Sequence, residues 1–156
     1  MSRHDAEISW RSDGHFTDGK YSRAHEWRFD GGQVVRGSSS PNVVPEPRSD
    51  PYGVDPEEAL VATVASCHML WFLDLARRAG LDVASYDDDA SGEMGRVDQG
   101  RYALTRITLR PRIAFTGRVP EATELASLHH QAHEHCFIAN SLKTEIVVEA
   151  VEAQQA

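Results

Sequence analysis

Cysteine is scarce in this sequence: Cys67 and Cys136 are the only two in 156 residues. Two cysteines cannot build the cross-linked framework of a small secreted scaffold; they point to free or reactive thiols in a reducing compartment. Lysine is equally rare, with Lys20 and Lys143 alone, so arginine is the usual cation. Positive charge as a whole is short: 16 Lys and Arg face 24 Asp and Glu, a net charge of −8. That balance argues against nucleic acid or an anionic membrane as the main partner. Long apolar runs are missing too. The longest apolar-rich stretch, Ala59 to Leu73, is interrupted by Thr63, Ser66 and His68 and falls short of the roughly 20 residues a membrane span needs. The segment Met1 to Glu7 is polar, without the apolar region of a secretory signal. These absences predict a cytoplasmic protein with no membrane role. No internal repeat or heptad pattern occurs.

What is present is ordinary globular composition, 40% apolar and 26% charged, enough for one domain over 1–156 with a real core. Residues 1–40 read as strands and turns. His25, Trp27 and Phe29 alternate with Glu26 and Arg28, and Asp30-Gly31-Gly32 marks a turn into Gln33 to Arg36. Five of the seven prolines fall in 41–56, which predicts an extended loop packed over a site. A helix is expected over 56–79. Asp55 suits its N-cap, Pro56 its first turn, Glu58 a capping box, Arg77 and Arg78 its last turn, and Gly80 the position after its end. From Leu60 to Leu73 this helix is apolar on almost every side, so it should be buried all round. A chain this small has little protein to wrap it, which points to a homodimer.

Asp87-Asp88-Asp89 reads as a short solvated acidic turn. Over 101–116 the odd positions Ala103, Ile107, Leu109, Ile113 and Phe115 are apolar, while Arg106, Thr108, Arg110 and Arg112 are polar. This predicts one strand with a wet face, bent at Pro111. A second helix is expected over 121–140, with Leu125, Leu128, Ala132 and Cys136 along one stripe, and a final strand over 143–151. The element order is that of an α+β fold.

The chemistry-bearing residues cluster around the two cysteines. His68 follows Cys67, and His133, Glu134 and His135 precede Cys136. Taken alone, a buried free Cys is more often a small core residue than a nucleophile. Two cysteines on two core-packing helices, each with ionisable neighbours, nevertheless fit a peroxidatic and resolving pair. A peroxidatic Cys must be a thiolate and needs a cation beside it. The helix dipole cannot serve, since Cys67 lies about 18 Å beyond the N-cap; an arginine can. Glu57 sits about 15 Å before Cys67 along the helix, so its expected role is to hold that arginine. His129 and His133 have the i,i+4 spacing of helical metal ligands. No HExxH pattern accompanies them, and a solvated, titrating histidine face is the commoner outcome.

Asp55-Pro56-Glu57-Glu58-Ala59-Leu60, then Ala65-Ser66-Cys67, then the distal Cys136 before a last strand, resembles the OsmC/Ohr family over about Ile8 to Glu149. The resemblance implies an OsmC-like fold of antiparallel sheets with a long buried central helix, in an intertwined homodimer with active sites at the subunit interface. It implies thiol-dependent reduction of organic hydroperoxides and peroxide, with no metal, flavin or haem, and an external dithiol such as a lipoylated protein as reductant. By position, Cys67 resembles the peroxidatic Cys, Cys136 the resolving Cys that closes a disulfide with it, and Glu57 the acid paired with the catalytic arginine. The hydroperoxide branch carries that arginine in a Gly-Gly-Arg turn, where Gln33 follows Gly31-Gly32 here. Arg23 is the nearest equivalent, and Arg48 is the alternative, placed as in the osmotically inducible branch. Two other classes stay open: a non-catalytic relative that binds a small apolar ligand, and a His/Cys metal-binding protein.

Overall fold

The computed structural model describes residues 2–14, 16–149 and 153–156. The chain gathers into two compact units, 1–59 and 60–156, with the boundary inside the first helix.

The first unit is built on a three-stranded antiparallel sheet, β1 (Ala6–Ser9), β2 (His25–Phe29) and β3 (Val34–Gly37), in that order. Ile8 stands opposite Trp27, and Trp27 opposite Val35, so the period-two pattern of β2 puts its apolar residues in one cross-strand row. The Asp30-Gly31-Gly32 turn is as expected, with Gly32 at φ +86, a conformation glycine adopts without steric cost. The proline-rich segment then runs back along the sheet. Ser38 Oγ accepts the Asp50 amide at 2.9 Å, Val54 N–H donates to the Arg36 carbonyl at 2.9 Å, and Arg36 pairs with Asp50. These polar contacts tie the loop to β3 and to the residue after it.

Helix α1 (Pro56–Arg78) carries the expected termini. Glu58 N–H donates to Asp55 Oδ1 at 2.7 Å, and Asp55 N–H donates to Glu58 Oε2 at 3.1 Å, a reciprocal capping box. At the other end Gly80, at φ +73, donates to the Arg77 carbonyl and Leu81 donates to the Ala76 carbonyl, the two bonds of a Schellman motif.

The second unit places two three-stranded sheets and helix α2 (Ala122–His135) around the rest of α1. One sheet has the order β4 (Asp82–Asp88), β7 (Pro111–Thr116), β9 (Gln154–Gln155); the other has β5 (Ser91–Arg96), β6 (Tyr102–Leu109), β8 (Glu145–Val148). Both sheets are mixed rather than wholly antiparallel, because β8 joins β6 and β9 joins β7 in parallel.

The single strand expected over 101–116 is two strands in different sheets. Arg110 separates them. Its amide donates to Asp88 Oδ1 at 2.6 Å and its side chain to Glu149 and Ser91. The odd-position apolar pattern stays in phase across the break but serves two cores. Ile107 and Leu109 pack with Val64, whereas Ile113 and Phe115 pack with Phe72, Ala76, Leu81, Leu125, Leu128 and Ala132. Periodicity reports which face is buried and not which core buries it. The acidic run is strand rather than turn: Asp87 and Asp88 lie in β4. Asp87 and Asp89 are exposed as expected, while burial raises the Asp88 carboxyl above its usual range. The second helix ends at His135, short of 140; Cys136 caps it, and a 3-10 turn follows at Ala139–Ser141. The last strand is confined to Glu145–Val148; Ala150 and Val151, expected within it, lie outside the described residues.

The chain does not bury α1 all round. Val64, His68, Phe72 and Ala76 form one buried stripe at i+4 spacing, while Leu70 stays 61% exposed. By length and apolarity the helix could cross a membrane, but its buried stripe belongs to the cores of the second unit. Gly92 permits its approach to β5: a Cβ there would stand 2.7 Å from Val61 Cγ2 and 2.8 Å from Leu104 Cδ2. Phe115 is fully buried in the larger core. Phe115→Ala should cost about 3–5 kcal/mol, read as a lower midpoint in urea unfolding.

Candidate active site

The two sulfurs meet in the second unit. Cys67 is half-buried on α1 and Cys136 fully buried just past α2, both as free thiols. Burial pushes the Cys136 thiol up to about 11, and the neighbouring Cys67 thiol raises it further; the Ala139 amide, 3.4 Å from the Cys136 sulfur, acts the other way. Cys136 therefore stays protonated at neutral pH. That suits a thiol that waits for an oxidised partner rather than one that attacks peroxide. The local sequence explains the placement. Leu125, Leu128 and Ala132 bury one stripe of α2 against the core, and Cys136 follows on that stripe. Around the pair, Trp71 stacks on His135 with ring centroids 5.0 Å apart and meets Phe137 edge-on at 5.5 Å.

Arg23 and Glu57 come together separately, within the first unit. Both line a cavity of about 490 Å³, together with Trp10, Phe16, Tyr21 and Val43. The Arg23 guanidinium lies 3.7 Å over the Tyr21 ring and donates to the carbonyls of Gly19 and Tyr21. It shares the cavity with Glu57 without an ion pair to it. Trp10, Phe16 and Tyr21 pack on one another with centroids 5.0–5.7 Å apart, which makes the cavity wall aromatic. Arg48 is exposed and does not line the cavity; its carbonyl accepts the Arg23 amide at 2.8 Å. The alternative arginine thus supports the backbone of the favoured one.

The histidine face is not solvated where it was expected to be. His129 is 4% exposed and His68 is 1% exposed; His68 Nε2 and His129 Nδ1 are 3.0 Å apart and the rings are stacked. Burial lowers His129 to about 4, and burial with the neighbouring His129 and His133 lowers His68 to about 3. Both are therefore neutral at pH 7. A readable signal existed in the sequence: His129 sits four residues after Leu125 and three before Ala132, on the apolar stripe. His130 is exposed, 3.5 Å from Glu134. Among the described residues no group of three or more His, Cys, Asp or Glu is placed to hold a metal ion.

This pair makes acid sensitivity predictable. The unfolded chain charges both imidazoles near pH 6.5, while the folded protein resists until about 4 and 3. Unfolding therefore takes up as many as two protons in that window, and stability falls as pH drops from 6.5 towards 4. Urea midpoints between pH 7 and 4.5 should decline, and His129→Phe should flatten the decline.

A family model described as "OsmC-like protein" matches residues 48–151. The chain belongs to this family. It is 29% identical over 97 residues to a protein named peroxiredoxin OsmC from Escherichia coli, a match spanning 62% of this chain and 66% of that relative. An OsmC-like protein of unknown function from Vibrio cholerae has a solved structure that is 47% identical, with a TM-score of 0.94 over 97% of this chain and all of that one. An organic hydroperoxide resistance protein from Elizabethkingia anophelis, 14% identical, shares the fold alone, with a TM-score of 0.68 over 100% of this chain and 98% of that one. The OsmC-like match covers Arg48, Glu57 and both cysteines, takes in only the end of the proline-rich segment from residue 48, and begins beyond Arg23.

Proposed function

We propose that this OsmC-like protein is a thiol-dependent peroxidase that reduces organic hydroperoxides through Cys67 and Cys136. The observation that carries the reading is the contact between a half-buried and a buried thiol, the only two cysteines of the chain. The Cys67 thiolate attacks the distal peroxide oxygen. The O–O bond breaks, Cys67 becomes a sulfenic acid, and the alkoxide leaves and takes a proton to become the alcohol. Arg23 is the cation assigned to the developing charge, with Glu57 on its cavity wall. The Cys136 thiol then attacks the Cys67 sulfur, its proton leaves with the hydroxyl as water, and a disulfide forms. An external dithiol, free or on a lipoylated protein, returns both sulfurs to thiols. The aromatic wall around Arg23 and the apolar surface of Leu70 and Trp71 favour alkyl hydroperoxides over hydrogen peroxide. The exposed apolar surface of Leu70 on α1 (61% exposed) and Phe137 just past α2 (70% exposed) supports a homodimer in which a second copy covers it. The setting is cytoplasmic.

One equivalent of cumene hydroperoxide should remove both thiols of the reduced protein and lower its intact mass by two daltons, faster than hydrogen peroxide does. Cys136→Ser should stop after one turnover and accumulate a sulfenic or over-oxidised Cys67. Survival of both wild-type thiols for many minutes overturns the peroxidase reading and favours a ligand-binding role for the aromatic cavity.

A further inference from the structure

The hydrogen-bonded imidazole pair has no part in the chemistry above, and it is costly to keep. His68 Nδ1 and His129 Nε2 are both buried without a hydrogen-bond partner among the described residues. For stability alone, an apolar pair of the same shape would serve better. Its placement gives it another use. On α1, His68 is the residue after Cys67. On α2, His129 lies seven residues before Cys136, two helical turns or about 10 Å away. Two contacts one residue apart on α1 and about 10 Å apart on α2 fix how the second helix crosses the first. Trp71 on His135 and Phe72 on His129 are ring stacks, which tolerate sliding, whereas a bond between two imidazole nitrogens is directional.

We propose that the His68–His129 hydrogen bond positions the thiol pair, holding α2 at the angle that presents Cys136 to Cys67. With an arm of about 10 Å, a swing of α2 by about 15° about the imidazole contact carries Cys136 almost 3 Å. That exceeds the roughly 2 Å spread of Cα separations that a disulfide accepts. The inference rests on the two-Cys reading and makes both histidines positioning residues rather than catalytic ones. The bond needs one N–H and one lone pair. His129 is 4% exposed, and the titratable groups within about a turn of it on its own helix are His133 and the His130–Glu134 pair.

The test is the equilibrium of the Cys67–Cys136 disulfide with glutathione, read by intact mass at pH 7, with folding checked by far-UV circular dichroism. His129→Phe keeps the ring and its stacking on Phe72 but removes Nδ1; it should lower the equilibrium constant for disulfide formation at least tenfold, about 30 mV in potential. His129→Asn restores a polar atom near Nδ1 and should recover most of the loss, as should His68→Gln at the other end of the bond. A purely structural role would lower the melting temperature of His129→Phe and leave the disulfide equilibrium in place. The proposal is overturned if folded His129→Phe stays within twofold of wild type, or if His129→Asn is as impaired as His129→Phe. Should His129→Phe not fold, His68→Met takes its place under the same criteria. If the wild-type protein forms no internal disulfide, the two-Cys reading itself fails, an outcome distinct from a wild type that closes and a variant that closes equally well.

Discussion

Cys67→Ser should abolish peroxide-dependent turnover, by three orders of magnitude or more on the scale expected for loss of a nucleophile (about 10³-fold). A serine hydroxyl is almost wholly protonated at neutral pH and cannot form a sulfenic acid, so no compensating route exists through the same position. The measurement is consumption of cumene hydroperoxide in the presence of excess dithiol. Cys136→Ser separates the two sulfur roles in that assay. Its first turnover should proceed at close to the wild-type rate, because Cys136, pushed up to about 11, stays protonated and does not compete for peroxide. Turnover by Cys67→Ser at a tenth of the wild-type rate would remove Cys67 from the mechanism.

Arg23→Ala should lower kcat/KM for cumene hydroperoxide by about 10²-fold, the scale of losing one charge-stabilising group, while Arg48→Ala should change it by less than about threefold. The contrast follows from placement. Arg23 lines the aromatic cavity with Glu57, fixed by the Tyr21 ring and two carbonyls, and Arg48 contributes a backbone carbonyl that its alanine variant retains. Arg23→Lys should recover only part of the loss, since an ammonium lacks the planar fork. Equal losses in Arg23→Ala and Arg48→Ala would reassign the cation.

Part of the architecture was legible before the fold. Helix α1 was readable at both ends because its signals are local. Asp55, Glu58 and Gly80 satisfy backbone groups within four residues of themselves, and each does so in the structure, while Pro56 opens the helix without adding a donor to satisfy. Cys67 and Cys136 stood out because nothing else in the chain shares their chemistry. Strands β4 and β5 were missed for the opposite reason. The segment Asp82 to Arg96 is acidic and glycine-rich, and it becomes a pair of strands through partners distant in sequence, β7 and β6. Arg110 shows the same limit. Its amide finds Asp88 and its guanidinium finds Glu149, and that long-range fixture splits one apparent strand between two sheets.

By itself, then, the sequence determined the elements whose hydrogen bonds are local and the presence of just two thiols. Tertiary structure decided which surfaces meet. It placed Cys136 beside Cys67 across 68 intervening positions, gave Arg23 rather than Arg48 a cavity wall, and turned His129 from an expected solvated group into the buried partner of His68. The physical reason is common to all three. Capping and periodicity follow from the geometry of a few consecutive peptide units, whereas the distance between two side chains on different helices depends on how a whole core packs.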